Sequence, residues 1–361
     1  MNIRITISND PRRRFRFISE PLERGGHDVA FVDVRYLKPF LRDLSTLCKR
    51  ALRPDVIVSL GFGPKNLVVF CVARLLMIPF VVRIGGDTGK DARSVARSAW
   101  ACRNPAIWAR AVVYLLTERI MMAEVRDIVV VSAYLEEQIH SRLRDDARIA
   151  IIPQYCRGEV VRHGRDLAQI PILLTVTSLN YRAKADGVTW MIERLAEFAT
   201  EANHSFVFRI AGGGLHLKDV ERHLQQAQLP PELQVQLLGF VEDIDTQYRE
   251  ADVFLYRSDH DASSNVLLEA KRWGLPVLVN DFPAFRTIVS DGVSGLLYKD
   301  NADFKSSLHR LLSNKALRQS LVENGYREHE EVFTIEASRE RLEAALSKAI
   351  RAQSVRLQTH R

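Results

Sequence analysis

The chain has few cysteines, and the four present (Cys48, Cys71, Cys102 and Cys156) stand far apart with no CxxC pair. That spacing excludes a disulfide scaffold, a zinc ribbon and a thioredoxin-like redox motif, and it suits a reducing compartment. Long apolar runs are also missing. The most lipid-like window, residues 67–82, is broken by Arg74 and Pro79 and is too short to span a bilayer comfortably. It is expected to be a buried helix followed by a buried strand. The opening residues, MNIRITISND, run straight into an alternating strand pattern, so no signal peptide is expected. There is no internal repeat and no low-complexity tract, which excludes solenoids and propellers; only the polar tail, residues 352–361, reads as disordered.

What is present is an ordinary globular composition: 361 residues, 47% hydrophobic and 26% charged. That length exceeds what one core organises, so two domains are the expectation. The net charge of +7 is unevenly placed: residues 1–165 hold 28 Lys and Arg against 17 Asp and Glu, and the remainder is slightly acidic. A basic first half suits an anionic partner. Nucleic acid is not expected, because no helix-turn-helix, zinc-finger or RNP-like aromatic pattern accompanies the charge. An anionic membrane surface fits better, since residues 93–119 mix Arg with apolar residues, Trp100 and Trp108. The bland alternative is a core-facing helix with a solvated basic side.

Short apolar runs alternate with helical patterns. Strands are predicted at residues 3–7, 29–34, 55–60, 80–84, 128–131 and 149–152, then, after a polar stretch at 157–168, at 172–176, 206–211, 235–238, 253–256, 276–279 and 295–298. This is an α/β protein of two successive doubly wound, Rossmann-like domains with parallel sheets. The predicted division is 1–165, 166–335 and a last helix over 336–361. Ligands of open α/β sheets bind beyond the carboxyl ends of the strands, so a cleft between two facing sheets is the expected active site.

The densest chemistry lies in residues 261–279, DASSNVLLEAKRWGLPVLV. Ser263 and Ser264 are N-cap candidates for a helix that ends before Gly274, with Pro276 beyond it. Free amides and the dipole at such a start form a site suited to a diphosphate. Glu269, about 7 Å further along the axis at 1.5 Å per residue, can accept hydrogen bonds from ribose hydroxyls.

These residues resemble glycosyltransferase family 4, retaining enzymes of the GT-B fold. The family pattern is an acidic residue, seven intervening residues, Glu, Ala and a Gly-x-Pro-Val strand, here Asp261, Glu269, Ala270 and Gly274-Leu275-Pro276-Val277. The resemblance implies that Glu269 binds ribose, that Ser263, Ser264, Asn265, Val266 and Leu267 hold the phosphates, and that Asp261 faces the transferred sugar. It also implies that Lys184, assisted by Arg182, grips the donor diphosphate. Gly213 lies in the resembling glycine turn, and Phe240 and Val241 in the segment bordering the base. The match runs from residue 175 to residue 296. It is thinner in the first half, at residues 24–29, 53–56 and 129–132. Departures are Asp261 for the usual Glu, Ala262-Ser263-Ser264 for Gly-aromatic-Gly, Ser178-Leu179-Asn180 for a Gly-Arg, and SNDPRRR at 8–14 for a glycine-rich loop.

The resemblance implies transfer from a nucleotide sugar to a glycan or lipid-linked acceptor in polysaccharide biosynthesis. A cytoplasmic location is expected, and the basic first half with Trp100 and Trp108, not the family motifs, suggests peripheral contact with the inner membrane face. No cofactor or metal is expected. Charge develops on the leaving diphosphate, which Lys184 and the helix amides stabilise; Asp261 can be nucleophile, orienter or sugar ligand. In the last helix of the chain, GT-B proteins commonly cross back onto the first domain. Rivals are a GT-B sugar-nucleotide epimerase and a non-catalytic partner subunit of a glycosyltransferase. Asp259-His260-Asp261 and Asp243-Ile244-Asp245 fit the metal-binding Asp-x-Asp of GT-A enzymes, but that tripeptide is common by chance. Residues 85–91, GGDTGKD, are one residue short of a phosphate loop and end in Asp where Ser or Thr must hold magnesium. Asp87 there is a candidate on the acceptor side.

Overall fold

A computed structural model describes residues 1–7, 16–86, 88–101, 103–162 and 166–359. Asp87 and the 8–14 segment therefore lie outside the described residues. The chain forms two compact units: residues 1–155 with 335–361, and residues 156–334.

The first unit carries a six-stranded sheet of β1 (Asn2–Ile7), β2 (Asp28–Asp33), β3 (Val56–Leu60), β4 (Phe80–Ile84), β5 (Asp127–Val130) and β6 (Arg148–Ile151), in the order β2-β1-β3-β4-β5-β6. Every pairing is parallel. Strands buried on both faces need near-continuous apolar residues, and β3 has them: Val56, Ile57 and Val58 are each no more than 1% exposed. One core layer joins Ile3, Ile5, Val56, Val58, Val81 and Val129 to Ile18 and Leu22 of the first helix. The last helix, Ile335–Thr359, completes that layer with Leu342, Leu346 and Ala349, one stripe at helical spacing.

The second unit repeats the plan with β7 (Ile172–Val176), β8 (Phe206–Ala211), β9 (Leu233–Gly239), β10 (Val253–Tyr256), β11 (Val277–Asn280) and β12 (Leu296–Tyr298), in the order β12-β11-β10-β7-β8-β9, again all parallel. All four residues of β10 and of β11 are buried. Strands are added in one direction from β7 to β9 and in the other from β10 to β12, so the winding order switches between β7 and β10. That makes their carboxyl ends the topological switch point, where ligands of this fold bind.

The division falls after Tyr155 and not after residue 165. The described part of the polar stretch is laced into the second unit by backbone groups that need partners. Cys156 N–H donates to the Phe333 carbonyl (2.9 Å), Val161 N–H to the Arg272 carbonyl (2.9 Å), and the Tyr326 hydroxyl to the Val161 carbonyl (2.8 Å).

Candidate active site

The loop after β7 starts the helix Arg182–Ala202, and the loop after β10 leads into the helix Asn265–Arg272. Gly187 controls how closely they meet. A Cβ there would lie 2.4 Å from the Arg257 carbonyl oxygen, so only glycine lets the first turns of the long helix press against the chain leaving β10. That approach brings Lys184 Nζ within 3.1 Å of Asp261 Oδ1, with each side chain 13% exposed. The Tyr256 hydroxyl, at the last residue of β10, donates to Asp261 Oδ2 at 2.7 Å. Burial and then the Asp261 charge push the Tyr256 phenol well above its ordinary value, so it stays a proton donor. Lys184 also sits over the rings of Tyr181 and Tyr256, and Tyr181 lies against the His260 imidazole with centroids 5.4 Å apart.

Ser264 occupies the N-cap position of Asn265–Arg272, is 3% exposed, and makes no side-chain capping bond. The first-turn amides, which have no intrahelical partners, are thus left without a cap from their own chain. Asn265 Oδ1 is buried there with no hydrogen-bond partner. Ser263 and Val266 are half-buried, whereas the Leu267 side chain is fully buried and has only its backbone to offer a ligand. Glu269, one turn on, accepts a 2.8 Å hydrogen bond from the Tyr248 hydroxyl through Oε2. Burial raises the Glu269 carboxyl above its ordinary value, and the Tyr248 bond opposes that rise.

The glycine turn after β8 is a steric requirement. A Cβ on Gly212 would fall 1.8 Å from the Thr177 carbonyl oxygen. The loops after β7 and β8 are zipped by Thr177 N–H to Ala211 O and Leu179 N–H to Gly213 O, each 3.0 Å. Phe240 follows β9, packs on Gly213 and leaves its ring 75% exposed beside half-buried Val241. Arg182 is not brought to the Lys184–Asp261 pair. Its guanidinium lies along its own helix against Asp186 (2.8 Å), with Asp219 at 3.7 Å, and is 67% exposed.

Two family models match the chain: "Glycosyl transferase 4-like domain" over residues 5–154 and "Glycosyl transferases group 1" over residues 170–314. Together they take in most of both units. The chain belongs to the group 1, GT-B-type glycosyltransferases. A relative from Geodermatophilus obscurus, named D-inositol 3-phosphate glycosyltransferase, is 33% identical over 138 residues, or 38% of this chain and 27% of the relative. The match therefore spans well under half of that relative's length. Among solved structures, sucrose-phosphate synthase from Thermosynechococcus elongatus is similar at TM-score 0.72 and 16% identity, covering 98% of this chain and all of that one. Anabaena HepE in complex with UDP and glucose is similar at 0.69 and 14%, covering 96% and 100%. At those identities the likeness is one of fold.

In this chain both Asp-x-Asp tripeptides have protein partners. Asp243 caps the helix Ile244–Glu250 through Thr246, and Asp245 accepts from Arg272 (3.0 Å) and the Trp273 indole (3.1 Å). Asp259 accepts from Asn280 while Asp261 faces Lys184, so the two carboxylates engage different partners. Tyr248, Tyr256 and Gly187 escaped the sequence reading, because strand and helix patterns register them only as core or element residues. In the first unit, Arg83 near the carboxyl end of β4 was also missed. Its guanidinium makes no hydrogen bond or ion pair among the described residues, and burial pulls its pKa down to about 10.

Proposed function

We propose that the chain moves a sugar, with retention of anomeric configuration, from a nucleoside diphosphate donor to a glycan or lipid-linked acceptor. The observation that carries this reading is Lys184 meeting Asp261 at the switch point, beside a helix start without a side-chain cap. A donor diphosphate at those amides draws the Lys184 ammonium away from Asp261 and onto the leaving group. There it and the first-turn N–H groups oppose the charge that develops as the glycosidic bond breaks. Asp261, still fixed through Oδ2 by Tyr256, faces the sugar as its positive charge grows. Glu269, oriented by Tyr248, receives the ribose hydroxyls, and exposed Phe240 and Val241 border the base. No metal enters these steps.

The presence of UDP in the HepE neighbour makes uridine diphosphate sugars the first donors to test. The unpaired Arg83 guanidinium favours an acceptor with an anionic group, and the basic first half favours one presented at the cytoplasmic face of a membrane. The test is incubation of the full chain with nucleotide sugars, with and without sugar, polyol-phosphate and lipid-linked acceptors, followed by NMR of the products. A glycoside with the donor's anomeric configuration is the expected product. Isomerised donor without acceptor would make the chain an epimerase. Nucleotide binding with no turnover on any acceptor would make it a partner subunit.

A further inference from the structure

The helix Pro105–Glu124, in the first unit, buries Met121 and Met122 and is apolar on its outward side as well. Its buried side includes Thr117 and Glu118, 7% and 4% exposed, with Glu118 facing Arg142 at 3.5 Å. Its outward side presents Val113, Leu116 and Ile120, 45%, 56% and 50% exposed, at the three-and-four spacing of one continuous stripe. The neighbouring helix Pro64–Leu75 does the same with Val68 and Leu75, and Met77 follows. An ion pair from Arg74 to Glu124 ties the C-terminal ends of the two helices, so the stripes lie side by side. At the other end of Pro105–Glu124, where the helix Thr88–Ala101 turns into it, the Trp100 and Trp108 rings stand 5.8 Å apart and are 72% and 38% exposed. A helix that is apolar on its solvent side needs a cover, and contiguous apolar patches of this kind mark interaction sites.

Charge identifies the cover. Arg97, Arg103, Arg110 and Arg119 are all exposed, and among the described residues none of their guanidiniums makes a hydrogen bond or ion pair. Glu124, the exposed carboxylate on the outward side of Pro105–Glu124, is already taken by Arg74. A second copy of this face would set arginine against arginine. An anionic bilayer instead offers phosphate to the unpaired guanidiniums, acyl chains to the stripe, and the headgroup boundary where Trp rings settle. No helix among the described residues is long and apolar enough to cross a membrane, so the contact is in the plane of the surface.

We infer that the outward faces of Pro64–Leu75 and Pro105–Glu124, with the Trp100–Trp108 pair, form a docking surface for an anionic lipid bilayer. This goes beyond the transferase reading and stands apart from its residues. The test is sedimentation of the full chain with vesicles of phosphatidylcholine alone and of phosphatidylcholine mixed with phosphatidylglycerol, at low and high salt. The protein is expected to sediment with the mixed vesicles and to be released as salt rises. Each Arg→Gln change at 97, 103, 110 and 119 weakens partitioning about fivefold. The double variant Leu116→Ser, Ile120→Ser weakens it about tenfold or more. Both sites are exposed, and an unchanged denaturation midpoint on the same samples shows that the fold is intact. Protein that stays in the supernatant with mixed vesicles at low salt overturns the inference. Binding unchanged by the double variant overturns it too, as does concentration-dependent self-association that the double variant removes without any vesicle binding. None of these outcomes bears on transfer to a soluble acceptor, so the two readings fail separately.

Discussion

Two of the lysine–carboxylate pairs in the second unit, Lys271–Glu328 and Lys184–Asp261, have opposite characters. Lys271 is 2% exposed. Its ammonium bonds to Glu328 and donates to the Ile288 carbonyl (2.8 Å), with the Ser294 hydroxyl at 3.5 Å, so its donors are spent inside the fold. Glu328 is held in turn by the Ser290 hydroxyl at 2.7 Å. Lys184 has one carboxylate partner, Asp261, and both lie at the rim of the sheet. Desolvation pulls the Lys271 ammonium below its ordinary value against the pull of Glu328. A pair whose donors are all satisfied by protein binds the fold together. A pair at a switch point, with donors in hand, can exchange its partner for a ligand's phosphate.

The largest effect should separate the two pairs. Lys271→Ala leaves Glu328 and two acceptors uncompensated, and it is expected to cost about 3–5 kcal/mol of stability by chemical denaturation. The double change Lys271→Met, Glu328→Leu should recover most of that loss, because neither charge is then stranded. A Lys271→Ala protein as stable as the parent would remove the contrast.

Lys184→Ala should cost less stability than Lys271→Ala, about 1–3 kcal/mol, because Asp261 keeps its hydrogen bond from the Tyr256 hydroxyl. It should lower turnover by about 10²–10³, the usual loss for a donor that opposes leaving-group charge. Steady-state kinetics beside a denaturation curve tests both halves. A large stability loss with normal turnover would make the pair structural.

Glu269→Ala should weaken nucleotide binding by about 1.5–3 kcal/mol through lost hydrogen bonds to a charged group. Burial raises the Glu269 carboxyl, so the charged form is lost on acidification sooner than for an ordinary glutamate. Calorimetric nucleotide affinity should therefore begin to fall above the usual carboxylate range as pH drops, and Glu269→Gln should flatten that fall. Tyr256→Phe removes a single hydrogen bond to the charged Asp261, at about 1.5–3 kcal/mol. It should appear in kcat and leave nucleotide affinity unchanged.

Much of this was readable in the sequence. Strands such as VFLY (β10) and VLVN (β11), buried on both faces, announce themselves as apolar runs between turns. The Asp261–Glu269 spacing marked the helix start and the carboxylate beyond it. The pairing of Arg182 with Lys184 was less secure for a geometric reason. Residues two apart on a helix do not face the same way, so one turn cannot aim both at a single ligand. Arg182 goes to Asp186, one turn along its own side. The division was placed inside the polar stretch because polarity is a local property. Its backbone partners, Phe333 and Arg272, lie far along the chain.

By itself the sequence determined the α/β class, the two-domain plan and the family, because periodicity and motif spacing are local records of strand, helix and turn geometry. Only tertiary structure decided which side chains face which. Tyr248 reaches Glu269 across 21 positions, and Lys184 reaches Asp261 across 77. The return of the last helix to the first core, and the outward apolar stripe on Pro105–Glu124, are equally absent from any single segment. Both depend on which surfaces remain uncovered once two sheets have taken their helices, and that is fixed by long-range packing.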